Sequence, residues 1–166
     1  MTKTLQTSAI ESVQQSIQNI IYVVKGLSEK EIRWNPSEEE WSIMQIITHV
    51  TEAIPYWVKE IQQIKENPEQ TWGRGLTDET RLKTVSEENV NSLLVEDVLD
   101  QLASVPSFVK ETLQALSSED LEIIAPSRNP RFDGKPVEFI VNHLIVEHVE
   151  KHYHQIQRNL SKYNQE

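Results

Sequence analysis

Residues 42–64 read SIMQIITHVTEAIPYWVKEIQQI, and this stretch decides the fold. Ile43, Ile46, Ile47, Val50, Ile54, Trp57, Val58, Ile61 and Ile64 recur at the spacing of one helical face, not at the alternation of a strand. Ser42 followed by Gln45 has the form of a capping box and predicts the helix start, with Ser37 and Glu40 as a competing start about a turn earlier. Pro68 lies beyond the expected end. Pro55 falls inside and removes one backbone donor, which predicts a kink or local distortion.

The same periodicity appears on both sides. Ile10, Val13, Ile17, Ile20, Ile21, Val24 and Leu27 mark a one-faced helix before a polar crossing that holds Trp34-Asn35-Pro36. Leu94, Val98, Leu102, Val105, Val109, Leu113 and Leu116 mark a third, with Pro106 inside it. The last is expected from about Pro136, after the Asp133-Gly134 turn, to about Leu160. Four long amphipathic helices predict an all-α four-helix bundle. The length of 166 residues suits one domain, 1–166. The connection between the second and third helices, roughly 67–91, exceeds the usual helix–helix linker of about 2–8 residues. It reads as a surface excursion with one or two short helical turns; a substrate-facing loop is the alternative.

Composition narrows the chemistry. With 16 Lys+Arg against 26 Asp+Glu the formal net charge is -10, which repels phosphate backbones and anionic lipid heads, so neither nucleic acid nor a membrane surface is an expected partner. There is no Cys, which excludes disulfides, thiolate ligands and a cysteine nucleophile. No apolar run resembles a signal peptide or reaches the ~18 residues of a membrane span, so a cytoplasmic protein is expected.

Three histidines carry the functional signal. His148 and His152 are four residues apart, so on a helix both imidazoles point the same way and can grip one divalent ion. At about 100° per residue they share a stripe with Val141, Leu144, Ile145 and Ile156, whereas His143 and His154 lie roughly 140–160° away on the solvated side. His49 flanks the apolar stripe of its own helix. A lone histidine there reads as a hydrogen-bonded core residue; three inward histidines read as a metal site, since each would otherwise be buried without a partner. Three imidazoles suit Zn²⁺, Ni²⁺, Fe²⁺ or Cu²⁺ and leave a position open, as in catalytic zinc sites. Glu52 is the candidate general base or hydrogen-bond acceptor beside the metal, although the plainer reading, a solvent-facing carboxylate, is preferred. Glu147 and Glu150 project elsewhere. No Gly-rich phosphate loop, serine elbow or His-Glu-x-x-His pairing is present.

Trp34-Asn35-Pro36, then Glu40-Trp41-Ser42-Ile43 and Thr48-His49-Val50, resembles the second-helix signature of the DinB/YfiT-like family. The run Glu147-His148-Val149-Glu150-Lys151-His152-Tyr153-His154-Gln155-Ile156 resembles that family's closing motif. The resemblance covers essentially the whole chain. It implies a bundle with a divalent metal, nickel or zinc, on His49, His148 and His152, and commonly a homodimer. It also implies an activity: transfer of low-molecular-weight thiols such as bacillithiol to electrophiles, a thiol-dependent isomerisation, or metal-dependent hydrolysis. The chain is therefore expected to be a thiol S-transferase acting on a small thiol and an electrophile. A metal-dependent hydrolase, or a non-catalytic dimeric bundle with packed histidines, is the alternative.

Overall fold

The structure, a computed structural model, describes residues 3–165. Met1, Thr2 and Glu166, which belong to the expected domain 1–166 and, for the first two, to the stretch read for a signal peptide, lie outside the described residues. Helix α1 (Leu5–Lys25) opens at Thr4, whose hydroxyl accepts from the Thr7 N–H. A short α2 (Glu29–Arg33) lies in the polar crossing, held by a reciprocal capping box between Ser28 and Glu31. Helix α3 (Ile43–Glu66) starts at the expected box: the Gln45 N–H donates to the Ser42 hydroxyl, and the Ser42 N–H to the Gln45 side chain. Ser37 and Glu40 open no helix. The middle connection contains α4 (Glu79–Thr84) and α5 (Glu87–Asn91). Helix α6 (Val95–Gln114) and the short α7 (Ser118–Leu121) follow. Pro55 and Pro106 lie inside α3 and α6, and both helices continue past them.

The last helix differs from expectation in its winding. Helix α8 (Val137–Phe139) passes without a break through a π-helical stretch, Ile140–Val146, into α9 (Glu147–Tyr163). Pro136 stands one position before the first turn, and Gly134 supplies the positive φ of 80° that the preceding turn requires.

Side-chain bonds fix the directions. Gln62 reaches Thr112, and Lys65 reaches the Ala115 carbonyl, so α3 and α6 run parallel. Gln6 donates to the Leu116 carbonyl and sets α1 antiparallel to α6, while Asn159 donates to the Trp41 carbonyl and sets the last helix antiparallel to α3. Both α1 and α3 pack against α6 and against the last helix, giving the ring order α1, α6, α3, α9. A parallel α3–α6 pair explains the long middle connection: the chain must travel back along α3, about 36 Å for its 24 residues, before α6 can begin. The core is the expected set of stripes, including Val13, Ile17 and Ile20 of α1, Ile47 and Ile54 of α3, Leu102 and Leu113 of α6, and Ile145 and Ile156 of the last helix. Among the described residues no helix is long and apolar enough to cross a membrane.

Candidate metal centre

Antiparallel packing of α3 on α9 brings His49 against His148 and His152, as their positions in the sequence predict. One ligand atom from each lies within 4.8 Å of the others. His49 Nε2 and His148 Nε2 are 3.2 Å apart. Two nitrogens bound at about 2.0–2.1 Å to one tetrahedral ion would stand about 3.3 Å apart, so this spacing admits a shared metal, and without one it is that of a hydrogen bond from the His49 Nε2–H to His148 Nε2. His49 and His152 are buried and His148 is partly so.

The second ring nitrogens settle the tautomers. His148 Nδ1–H donates to the Leu144 carbonyl at 3.0 Å, and His152 Nδ1–H to Gln155 Oε1 at 2.8 Å, so both Nε2 atoms carry lone pairs. Two buried nitrogens, His152 Nε2 and His49 Nδ1, have no hydrogen-bond partner among the described residues. Leaving such an atom unpaired costs about 1–3 kcal/mol; a cation shared with the other two Nε2 atoms would take the lone pair of His152 Nε2, while His49, ligating through Nε2, would keep its proton on Nδ1. The donor set therefore fits a divalent ion. Burial keeps all three imidazoles neutral, the form that ligates metal. It pushes His49 far below the ordinary histidine range, with the charges of His152 and His148 adding to it. Burial takes His148 down to about 3, helped by His152, and His152 to about 4 against the opposing Gln155 bond. Trp41, from the second-helix motif, packs on His49 and His152 with ring centroids 4.9 and 6.2 Å away.

The triad forms one wall of a cavity of about 410 Å³. Trp57, Leu76, Phe132 and Leu144 give it an apolar lining, and Arg74, Arg81, Arg131 and Lys151 give it charge. The middle connection is thus more than a surface excursion. Gly73, at φ 93°, turns its N–H to the buried Glu60 carboxylate, and Trp72 is pinned to Pro126 and Arg128 by backbone bonds, which carries Arg74, Gly75 and Leu76 to the cavity.

Glu52 is neither a free base nor a solvated carboxylate. Both its oxygens accept from Arg74, at 2.6 and 2.8 Å, and Arg74 is buried with its guanidinium 4.0 Å from the Tyr56 ring centroid. His143 and Glu147 are exposed as expected, but they also line the cavity, paired at 2.9 Å through His143 Nδ1 and Glu147 Oε2. The π-helical winding accounts for this. Its i to i+5 repeat swings His143 toward the side of His148, which a uniform 100° step does not foresee. His154 is exposed and outside this cavity. The arginines had no local signal in the sequence, apart from the Trp72-Gly73-Arg74-Gly75 stretch.

The family model of the DinB superfamily matches residues 12–156. YfiT from Bacillus subtilis superposes with a TM-score of 0.80 at 12% sequence identity, covering 99% of this chain and 90% of that one; it is described as a probable metal-dependent hydrolase with an unusual four-helix bundle topology. At that identity the likeness concerns the fold. No curated protein matches the sequence.

Proposed function

The chain belongs to the DinB superfamily, and we propose that it is a metal-dependent enzyme that joins a low-molecular-weight thiol to an electrophile, with nickel or zinc held by His49, His148 and His152. The observation that carries this reading is the triad itself, with His49 and His148 Nε2 3.2 Å apart and the buried lone pair of His152 Nε2 unpaired beside them at an open cavity. A merely packed His152 would have found a partner for its buried Nε2, which weighs against histidines that only pack.

When bound, a divalent ion supplies Lewis acidity that lowers the pKa of a thiol or of water brought to it. The chain's own residues do the rest. The Leu144 carbonyl and Gln155 hold the two α9 imidazoles in the ligating tautomer, and Trp41 packs on two of the three rings. Trp57, Phe132 and Leu76 give the cavity an apolar lining. Glu52 is spent on Arg74, which favours a nucleophile that needs no neighbouring base.

One observation favours hydrolysis as the second reading. The His143–Glu147 pair stands at the cavity and could take a proton from water. The two are separated by assaying the metal-loaded protein with several small thiols and a chromogenic electrophile, and in parallel with esters and amides, with His152→Ala as the control. Thiol-dependent loss of the electrophile, absent in the variant, is expected. Metal-dependent hydrolysis with no thiol turned over would replace the transferase by the hydrolase.

A further inference from the structure

The cavity inverts the charge of the molecule. The chain carries a formal -10, yet the cavity wall holds Arg74, Arg81, Arg131 and Lys151 against a single carboxylate, Glu147. Arg74 is neutralised by Glu52, and Glu147 is engaged by His143. Arg81, Arg131 and Lys151 have no carboxylate within 4.0 Å among the described residues. They come from three separate segments, α4, the turn at 130–132 and α9.

The guanidinium of one is held in place, and the backbone of a second is. Arg81 is only partly exposed; its Nη1 donates to the Leu76 carbonyl at 2.9 Å and its guanidinium lies 5.5 Å from the Trp41 ring centroid. Its other donors are left without a protein acceptor among the described residues. The Arg131 N–H donates to Asn129 Oδ1, and Asn129 also donates to the Arg74 carbonyl, so the turn is stitched to the middle connection. Cations that line one cavity repel one another, and low-dielectric walls focus their field, so such an arrangement draws in a counter-charge. A guanidinium fork and an ammonium suit carboxylate or phosphate oxygens.

We propose that Arg81, Arg131 and Lys151 form an anion subsite beside the three histidines, which holds the carboxylate or phosphate groups of the small molecule acted on at the metal centre. The inference rests on the metal reading for the identity of that molecule, and it makes the substrate class anionic. Neutral thiols and neutral electrophiles, with nothing for the subsite to hold, are then poor ligands.

The test is calorimetric titration of the full chain with inorganic phosphate, with succinate and with neutral succinamide. Metal is first stripped with the uncharged chelator 1,10-phenanthroline, and the titrations are repeated after zinc is added. At least one anion should bind and succinamide should not; which anion binds distinguishes the two chemistries. Arg131→Gln and Lys151→Gln alter exposed side chains, so both should keep the wild-type melting profile while each weakens the anion about tenfold, the effect of losing one charge-assisted contact. Lys110→Gln, on the exposed face of α6, should change nothing. The subsite is overturned if neither anion binds better than succinamide, or if the Arg131→Gln/Lys151→Gln double variant binds as wild type does. Zinc binding separates the two readings. Zinc bound without anions removes the subsite alone, and anions bound without zinc remove the metal centre alone.

Discussion

At the residue scale, the triad makes a pattern that five alanine variants read out. His49→Ala, His148→Ala and His152→Ala should each weaken zinc or nickel binding severely, whereas His143→Ala and His154→Ala should barely change it, as measured by metal content after dialysis. The cavity-lining position of His143 does not alter this, because its nitrogen is paired with Glu147 rather than with the triad. Retention of metal after loss of both His148 and His152 would remove the site. Glu52 has a different fate. Its loss leaves the buried Arg74 guanidinium with only the longer contact to Asp78, at 3.5 Å, so Glu52→Ala should cost about 3 kcal/mol in urea unfolding, the lower end of the penalty for breaking a buried pair from one side. A variant of unchanged stability would mean that the carboxylate is free for chemistry after all.

At the scale of elements, Gln45 joins more than its own helix. Its side chain accepts from the Ser42 N–H and from Asn35, and donates to the Val85 carbonyl, so it ties the start of α3 to two connections. Gln45→Ala should therefore cost about 2 kcal/mol, more than the ~1 kcal/mol of an ordinary cap, and thermal unfolding should show Ser42→Ala as the milder change. The long helices were legible because their apolar residues repeat with a period that only a helix satisfies. The short α2 was not, since Ile32 is its one buried residue and no stripe can be read from it. Periodicity also carries no direction, so the parallel run of α3 and α6 could not be read, and with it the reason for the long middle connection. The histidine site was legible for the opposite reason: its ligands sit on two regular helices, where spacing gives orientation. Its charged wall comes from connections whose placement depends on tertiary bonds such as those between Trp72 and residues 126–128. The π-helical turn was hidden as well, because Ile140, Val141, Leu144 and Ile145 fit an α-helical stripe equally well.

At the scale of the whole molecule, assembly and acid stability follow from surface and burial. The expected homodimer would draw on α1, where Tyr22 is 83% exposed; sedimentation that finds only monomer at micromolar concentration would remove it. Acid stability has a sharper cause. In the unfolded chain a histidine titrates near pH 6.5, whereas the fold holds His148 to about 3, His152 to about 4 and His49 lower still. Below pH 6.5 the unfolded chain thus takes up protons that the fold refuses. The stability contributed by these groups is complete above that pH and is lost as pH falls toward the folded values. Each proton that only the unfolded chain takes up is worth about 1.4 kcal/mol per pH unit below 6.5, so three such groups bear heavily on the roughly 5–15 kcal/mol stability of an ordinary domain. The metal-free protein should therefore melt far lower at pH 5 than at pH 7. Added zinc should raise the melting temperature at pH 7, because it binds only the folded triad, and should raise it much less at pH 5, where protons compete for the same nitrogens. His148→Gln removes one of the three titrating groups, so it should flatten the metal-free slope of stability against pH by about a third. A slope unchanged in that variant would mean that carboxylates, not the buried imidazoles, govern acid unfolding.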